Sequence, residues 1–235
     1  MERMWQLPEC RLVFHVKHDA ELPVNVVVAG GRKPADAWLR SVSSKRSLYC
    51  ADRGAAYCLQ AGISPALLVG DCDSADASVY EKARALGAQV CVHPPAKDDT
   101  DLQLLLEMLP DGDVLATGTF GGRFDHLFSG VYSLLAFKKR RGCCVALADE
   151  RELLLLLTDN EKIKIRFQKQ SGVQAVSLLP LSDACRVSIG GVAWPLENSL
   201  LTQARPYAVS NMPESQEIAC SCLSGSVGLY VHWQK

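Results

Sequence analysis

The sequence holds no Cys-x-x-Cys pair and no Cys/His set at zinc-ligand spacing, which excludes a zinc-finger or thioredoxin-type chemistry. It has no G-x-x-x-x-G-K-[ST] phosphate loop, no G-x-S-x-G nucleophile elbow and no H-E-x-x-H. Aromatic residues are only 7%, too few for a base-stacking surface. Neither sign of charge dominates: 25 Lys and Arg face 26 Asp and Glu, for a net charge of -1. The broad positive field of a nucleic-acid binder is therefore missing. There is no internal repeat and no low-complexity segment. The opening MERMWQLPEC lacks the apolar core of a signal peptide, and the leucine run Leu153 to Leu157 is far too short to span a bilayer. These absences predict a cytoplasmic protein that engages neither nucleic acid nor membrane.

What is present is an ordinary globular composition. The chain has 235 residues, 48% hydrophobic and 22% charged, enough for one large domain or two modest ones with a buried core. Its ten cysteines fall below the density of a disulfide scaffold. Several sit inside apolar runs, such as Cys91 in QVCV and Cys143–Cys144 before VALA, and Cys220-Ser-Cys222 has the alternation of a strand. They read as reduced core residues, as expected of a cytoplasmic chain. His15 and His18 have no ligand pattern around them. Trp194 and Trp233 lie in strand-like runs and read as core or interface residues.

Up to about residue 150, short apolar runs alternate with helical stretches. Strands are predicted at Val24–Ala29, Leu48–Ala51, Ala66–Val69, Gln89–Val92 and Asp113–Thr117. Helices are predicted from Pro34, at Gly54–Ala61, Asp76–Leu86, Leu102–Leu109 and Asp125–Arg141. Pro34 suits a first helical turn, Thr100 with Gln103 fits a capping box, and Gly62, Gly87 and Gly142 suit helix stops. This rhythm predicts a parallel α/β sheet over residues 1–150. Beyond it, helical periodicity ends. Short runs at Val145–Ala148, Leu153–Leu157, Ile163–Phe167, Ala175–Leu179, Arg186–Ile189, Ala208–Ser210, Glu217–Cys220 and Val227–Val231, parted by Gly, Pro, Asn and Ser-Asp turns, predict an antiparallel β-sandwich over residues 151–235.

In an open α/β sheet the ligand sits at the carboxyl ends of the strands. Four such ends are acidic or polar here: Cys50-Ala51-Asp52-Arg53-Gly54, Gly70-Asp71-Cys72-Asp73-Ser74, Lys97-Asp98-Asp99-Thr100-Asp101, and Gly118 through Gly121-Gly122-Arg123-Phe124-Asp125-His126. In a parallel sheet all four project from one edge. Asp71 and Asp73, two apart in an extended loop, face the same side. With Asp101 or Asp98 alongside, the carboxylates would repel unless a cation neutralised them. A hard, oxygen-preferring divalent ion fits, with magnesium the expected one. Arg123 would clamp an anion, and glycines 118, 121 and 122 would let backbone approach a phosphate. Together these features point to phosphoryl-type transfer from a nucleotide. Plainer readings stand beside this one. Asp73 or Ser74 could be a helix cap, Asp99 a solvated loop charge, Arg123 a surface charge and His126 a packing group.

With these residues in place, the sequence resembles the thiamine pyrophosphokinase family. The matching pieces are ADRGAAYCLQAGISPALLVGDCDS, KDDTDLQLLLEML and GTFGGRFDHLF, in that order, followed by SLLPLSD, GGVAWPL and Ser210-Asn211. The resemblance implies an N-terminal α/β domain and a C-terminal β-sandwich. It implies transfer of a pyrophosphoryl group from ATP to the hydroxyl of thiamine, with magnesium, by a homodimer whose active sites span the subunit interface. It assigns Asp71, Asp73 and Asp101 to the metal and phosphate site, with Asp98 and Thr100 beside them and Asp52 after the second strand. Arg123 and Asp125 occupy the GGRxDH positions, and Ser210 and Asn211 match a pair that contacts the aminopyrimidine ring. Gly130 departs from the family's frequent Asn, Ala56 likewise, and MPESQE is a weak match. The remaining alternatives are a pyrophosphokinase of another alcohol, such as a hydroxymethyl-pterin, a non-catalytic thiamine or nucleotide sensor, and a metal-dependent phosphate hydrolase.

Overall fold

The structure, a computed structural model, describes residues 2–16, 22–71, 77–94, 96, 98–168 and 172–233. In chain order its elements are β1 (Glu2–Gln6), β2 (Cys10–His15), β3 (Val24–Val28), α1 (Asp36–Ser43), β4 (Leu48–Ala51), α2 (Gly54–Gln60), β5 (Leu67–Gly70), α3 (Ala77–Ala85), β6 (Gln89–Val92), α4 (Asp101–Met108), β7 (Asp113–Thr117) and α5 (Phe124–Arg141). Then follow β8 (Val145–Ala148), β9 (Glu152–Thr158), β10 (Glu161–Phe167), β11 (Val173–Pro180), β12 (Ala184–Gly190), β13 (Leu196–Thr202), β14 (Glu217–Ser224) and β15 (Ser226–Trp233). They fall into two compact units, Leu22–Asp149 and the pair of segments Met1–Glu21 and Glu150–Lys235.

In the unit Leu22–Asp149, the strands β8-β7-β3-β4-β5-β6 lie side by side in that order, and every pairing among them is parallel. The strands β5, β7 and β8 are buried along their whole length, and β3 nearly so. Largely apolar runs such as VNVVV and DVLAT suit strands covered on both faces, their polar members Asn25, Asp113 and Thr117 being buried as well. From β3 the chain winds outward through β4, β5 and β6, then returns to add β7 and β8 on the other side. The winding therefore reverses between β3 and β7, which makes that gap the switch point of a doubly wound sheet. Helix α4 carries the capping box at its start and packs against β4 and β5.

The other unit is antiparallel. One sheet runs β1-β2-β10-β14-β12-β13, and a second ladder joins β11, β15 and β9. Alternation sets the register: Ile163, Ile165 and Phe167 are buried while Lys162, Lys164 and Arg166 are exposed. The five leucines of β9 are all buried, and β9 touches β10 and β14. Here the division differs from the sequence-based one. Residues 1–21 do not join the α/β unit, because β2 pairs with β10 from His15↔Lys162 to Cys10↔Phe167. The cause is a period-two pattern in which Trp5, Leu12 and Phe14 are buried while Met4 and Arg11 are exposed, the mark of a half-buried antiparallel strand. Two further differences concern single strands. β13 was not expected from its polar sequence LENSLLT, and Ala208–Ser210 forms no strand. Only the bridge Val176↔Asn211 is made there, since Ser210 has φ 59 and breaks the extended chain.

The cysteines behave as core residues. All nine described ones are free thiols, and only Cys91 is not buried. Trp233 is core at 2% exposure, whereas Trp194 is 64% exposed. No described helix is long and apolar enough to cross a membrane.

Candidate active site

The turn after β3 and the turn after β7 are stitched together at the switch point. Gly31 N donates to Gly118 O at 2.6 Å, Arg32 N to Phe120 O at 2.6 Å, and Ala29 N to Thr117 O at 2.8 Å. A Cβ on Gly31 would lie 2.6 Å from Gly118 O and 2.8 Å from Phe120 O, and one on Gly118 would lie 2.3 Å from Ala29 O. Gly118, Gly121 and Gly122 all have positive φ, a region open to glycine without steric cost. Tyr57 braces this turn by donating its hydroxyl to Gly31 O at 2.8 Å. Arg32 is anchored by a fork to buried Asp149, Nε at 3.1 Å and Nη2 at 2.6 Å from Oδ2. Tyr57 and Arg32 are not picked out by the sequence pattern. The glycine pair directly after a β-branched strand was the available signal.

Three strand ends converge beside this turn. Asp52 N donates to Val69 O at 2.8 Å. A Cβ on Gly30 would lie 3.6 Å from Asp52 Oδ2, and one on Gly70 would lie 3.4 Å from Asp52 Cα. Asp52, with φ 50, thus sits between the ends of β3 and β5, and Asp71 follows Gly70 directly. A non-glycine residue in the left-handed region costs roughly 1–2 kcal/mol. Such outliers concentrate at functional sites, and both Asp52 and Ser210 are among them. Thr117 Oγ1 and Thr119 Oγ1 are buried at the end of β7 with no hydrogen-bond partner among the described residues. Polar groups of that kind suit a ligand at this edge.

The other predicted residues fall on neighbouring loops. Thr100 caps α4: its Oγ1 accepts from Gln103 N at 3.3 Å, and its own N donates to Gln103 Oε1 at 2.8 Å. Asp101 is the first residue of that helix, half-buried, and Asp98 is exposed. A Cβ on Gly130 in α5 would lie 3.4 Å from Leu102 Cδ2, so the start of α4 runs close beside α5. Arg123 precedes α5 and forks onto Asp125, Nε to Oδ1 at 3.1 Å and Nη2 to Oδ2 at 2.5 Å. Both side chains are exposed, 75% and 62%. Asp125 Oδ1 also accepts from His126 N at 3.0 Å. The hydrogen bonds from Arg123 hold the Asp125 carboxyl below the usual carboxylate range, and the same pairing raises Arg123. Asp73 lies outside the described residues. Among the described residues, no three His, Cys, Asp or Glu side chains form a metal-binding group.

In the antiparallel unit, Ser210 N donates to Ser177 Oγ at 3.0 Å. The Asn211 amide turns inward to its own loop rather than outward. Its Oδ1 accepts from Trp194 N at 3.1 Å and Met212 N at 2.9 Å, and its Nδ2 donates to Trp194 O at 2.7 Å. A separate concavity of about 590 Å³ lies on the β10 and β14 face, lined by Lys162, Lys164 and Ser188 among others. It holds none of the predicted site residues.

Glycine turns at a switch point, with carboxylates at adjoining strand ends, mark the unit Leu22–Asp149 as a doubly wound α/β unit whose candidate site lies at the carboxyl ends of its strands. Comparison with known proteins narrows this class. Residues 39–146 match the family model for the thiamin pyrophosphokinase catalytic domain, and residues 162–226 match that for the thiamin pyrophosphokinase vitamin B1 binding domain. The thiamine pyrophosphokinase of Bacillus subtilis is 28% identical over 191 residues, covering 79% of this chain and 87% of its own. The crystal structure of the B. subtilis thiamine pyrophosphokinase has a TM-score of 0.74 at 24% identity, covering 91% and 99%. The thiamin pyrophosphokinase of Candida albicans has a TM-score of 0.76 at 17% identity, covering 91% and 90%. The chain belongs to the thiamine pyrophosphokinase family. The pterin, sensor and hydrolase alternatives are not favoured.

Proposed function

We propose that this chain transfers the pyrophosphoryl group of ATP to the hydroxyl of thiamine, giving thiamine diphosphate and AMP, in the cytoplasm. The observation that carries the reading furthest is the meeting of Gly30, Asp52 and Gly70-Asp71 on the switch-point edge. Oxygen-only donors with no thiol or imidazole among them fit a hard cation such as magnesium. Asp71, Asp73 and Asp101 would hold it. When bound, such an ion neutralises charge on the phosphates.

The chain's own groups then have separate tasks. The stitched turns at Gly31 and Gly118 allow phosphate oxygens to approach backbone. Arg123 offers a planar fork that matches phosphate geometry, for which ATP competes with Asp125. The thiamine oxygen attacks the β-phosphorus in line, the bond from β-phosphorus to the α,β-bridging oxygen breaks, and AMP leaves with that electron pair. The hydroxyl proton needs only a weak acceptor, because a loose transition state asks little of a base. Asp125, once ATP draws Arg123 away from it, or Asp98 would take that proton. Positioning therefore supplies most of the rate.

We assign thiamine to the β-sandwich formed by the two antiparallel sheets, with Ser210 and Asn211 at its pocket, and a homodimer as the working form. The test is incubation of purified protein with ATP, magnesium and thiamine. Equal amounts of AMP and thiamine diphosphate are expected. Release of phosphate without thiamine, or preference for a pterin alcohol in competition, would refute the proposal. Asp71→Asn and Asp73→Asn are expected to lose turnover by about a hundredfold or more, as removal of a transition-state electrostatic partner does.

A further inference from the structure

Strand β4 and helix α2 are joined by the short turn Asp52-Arg53, and that turn brings two thiols together. Cys50 Sγ and Cys58 Sγ lie 3.3 Å apart, and both side chains are buried at 0% exposure. A disulfide holds its sulfurs at about 2.05 Å, so the pair is about 1.3 Å short of a bond. Groups of the nucleotide edge frame these thiols. Asp52, with φ 50, stands two residues after Cys50. Tyr57, which donates its hydroxyl to Gly31 O at 2.8 Å, directly precedes Cys58. The start of α2 is pinned, because a Cβ on Gly54 would run into Val28 O. A pull on Cys58 therefore falls on the turn of helix that carries Tyr57.

We propose that Cys50 and Cys58 are an oxidation site whose reversible disulfide loosens the nucleotide edge. Burial pushes the Cys50 thiol up, so it stays protonated while α2 is packed. Access comes by local opening of α2, which has seven residues and no side-chain hydrogen bond at its N-cap Arg53. A helix that short is held by packing rather than by its own hydrogen bonds. The oxidant class is a hydroperoxide. One thiolate attacks a peroxide oxygen, the O–O bond breaks, and hydroxide leaves with its electron pair, giving a sulfenic acid. The second thiolate attacks that sulfur, the S–O bond breaks, and a second hydroxide leaves. The two protons given up by the thiols convert both hydroxides to water. Two thiols and one hydrogen peroxide thus become one disulfide and two waters. A reducing thiol reverses the step by exchange, as suits a transient disulfide in a reducing compartment. Closing the gap draws Cys58 toward β4 and carries Tyr57 with it, so the bond from the Tyr57 hydroxyl to Gly31 O is lost. The thiol chemistry stands apart from the transferase reading; its effect on ATP rests on that reading.

The test treats the reduced full-length protein with hydrogen peroxide, blocks the remaining thiols and maps the peptides. Trypsin cuts after Arg53, between the two cysteines, so their disulfide joins two peptides; fragmentation tells Cys58 from Cys72 on the same peptide. The Cys50–Cys58 link is expected, and a reducing thiol should remove it. Oxidation should raise the KM for ATP about three- to tenfold, the equivalent of one lost hydrogen bond, and reduction should restore it. Cys58→Ala should keep the ATP KM of the reduced wild type and ignore peroxide. Cys50→Ala should do the same, and it serves if Cys58→Ala fails to fold. Tyr57→Phe should raise the ATP KM without oxidant, and peroxide should then add less than about twofold, because both changes remove one interaction. Cys50 and Cys58 recovered unlinked after peroxide, a link that leaves the ATP KM unchanged, or an equal rise in Cys58→Ala would each overturn the inference. Failure of the reduced protein to form AMP and thiamine diphosphate would instead sink the functional reading. The peptide map would still decide the thiol pair, and ATP-dependent thermal shifts of the reduced and oxidised protein would decide its effect on the nucleotide edge.

Discussion

Replacing Gly31 by alanine probes the nucleotide edge at its tightest point. The new Cβ would lie 2.6 Å from Gly118 O and 2.8 Å from Phe120 O, so one of the two turns must retreat by about 0.8 Å to reach ordinary contact. Neither oxygen can swing away freely, since each already accepts a 2.6 Å hydrogen bond, from Gly31 N and Arg32 N. Forcing a methyl into such a site costs about 1–3 kcal/mol, and weakening one or two of those hydrogen bonds adds about 1 kcal/mol each. A loss of about 2–5 kcal/mol corresponds to a fall in melting temperature of about 4–20 °C for a chain of this size. If the phosphates rest on these turns, a shift near 1 Å also reduces turnover at fixed ATP by about a hundredfold. Thermal melting and ATP-dependent initial rates measure the two effects. Gly87→Ala serves as the comparison: its φ is +90 but nothing lies within 4 Å, so it should cost about 1–2 kcal/mol of backbone strain and leave ATP kinetics alone. A Gly31→Ala protein with wild-type melting and wild-type ATP kinetics would refute the reasoning.

Other perturbations separate stability from chemistry. Thr100→Ala removes the reciprocal cap of α4 and should cost about 1 kcal/mol in urea unfolding, with Thr100→Ser restoring it. Arg123→Lys keeps the charge but loses the fork. It should leave unfolding within about 0.5 kcal/mol of wild type, because exposed pairs contribute little, while turnover drops about tenfold or more; equal activity would remove Arg123 from the phosphate site. Burial drives the Cys10, Cys50 and Cys220 thiols up. Their neutral forms therefore favour the folded state below the unfolded thiol pKa of about 8.5. Above it the unfolded chain releases protons that the folded chain keeps, so stability should fall by about 1.4 kcal/mol per pH unit per thiol. Unfolding at pH 8 and pH 10 checks this, and Cys220→Ala should show a shallower decline than wild type.

The α/β strands were legible because their cause is local. Runs such as VNVVV and DVLAT are mostly apolar and β-branched, so Leu48–Ala51, Gln89–Val92 and Asp113–Thr117 emerge with the predicted bounds. The cap at Thr100 was legible for the same reason, since donor and acceptor lie three residues apart. The first 15 residues were harder. Their alternation shows a half-buried pair, but nothing local shows that the partner is β10, some 150 residues away. β13 was hidden by its composition: Glu197 and Asn198 are exposed on a strand with only Leu201 buried, and the ladder to β12 forms it.

At the site, spacing reveals which residue types gather but not how their hydrogen bonds are allotted. Asp52, Asp71, Asp101 and Arg123 could be picked out because acidic and glycine-rich strand ends are a one-dimensional signal. Tyr57 could not, because its role depends on a hydroxyl reaching Gly31 O across 26 residues. Asn211 shows the same limit more sharply. Read as Ser210-Asn211, it is a polar pair facing a ligand. In the fold, the bridge Val176↔Asn211 and the positive φ of Ser210 turn the amide onto Trp194, 17 residues earlier. A tryptophan in a strand-like run reads as core or interface; the clasp holds the backbone of this one, and it exists only once β12, β13 and the 211–214 segment have been brought together. The placement of Trp194 is therefore set by tertiary hydrogen bonding that the motif contains but does not display.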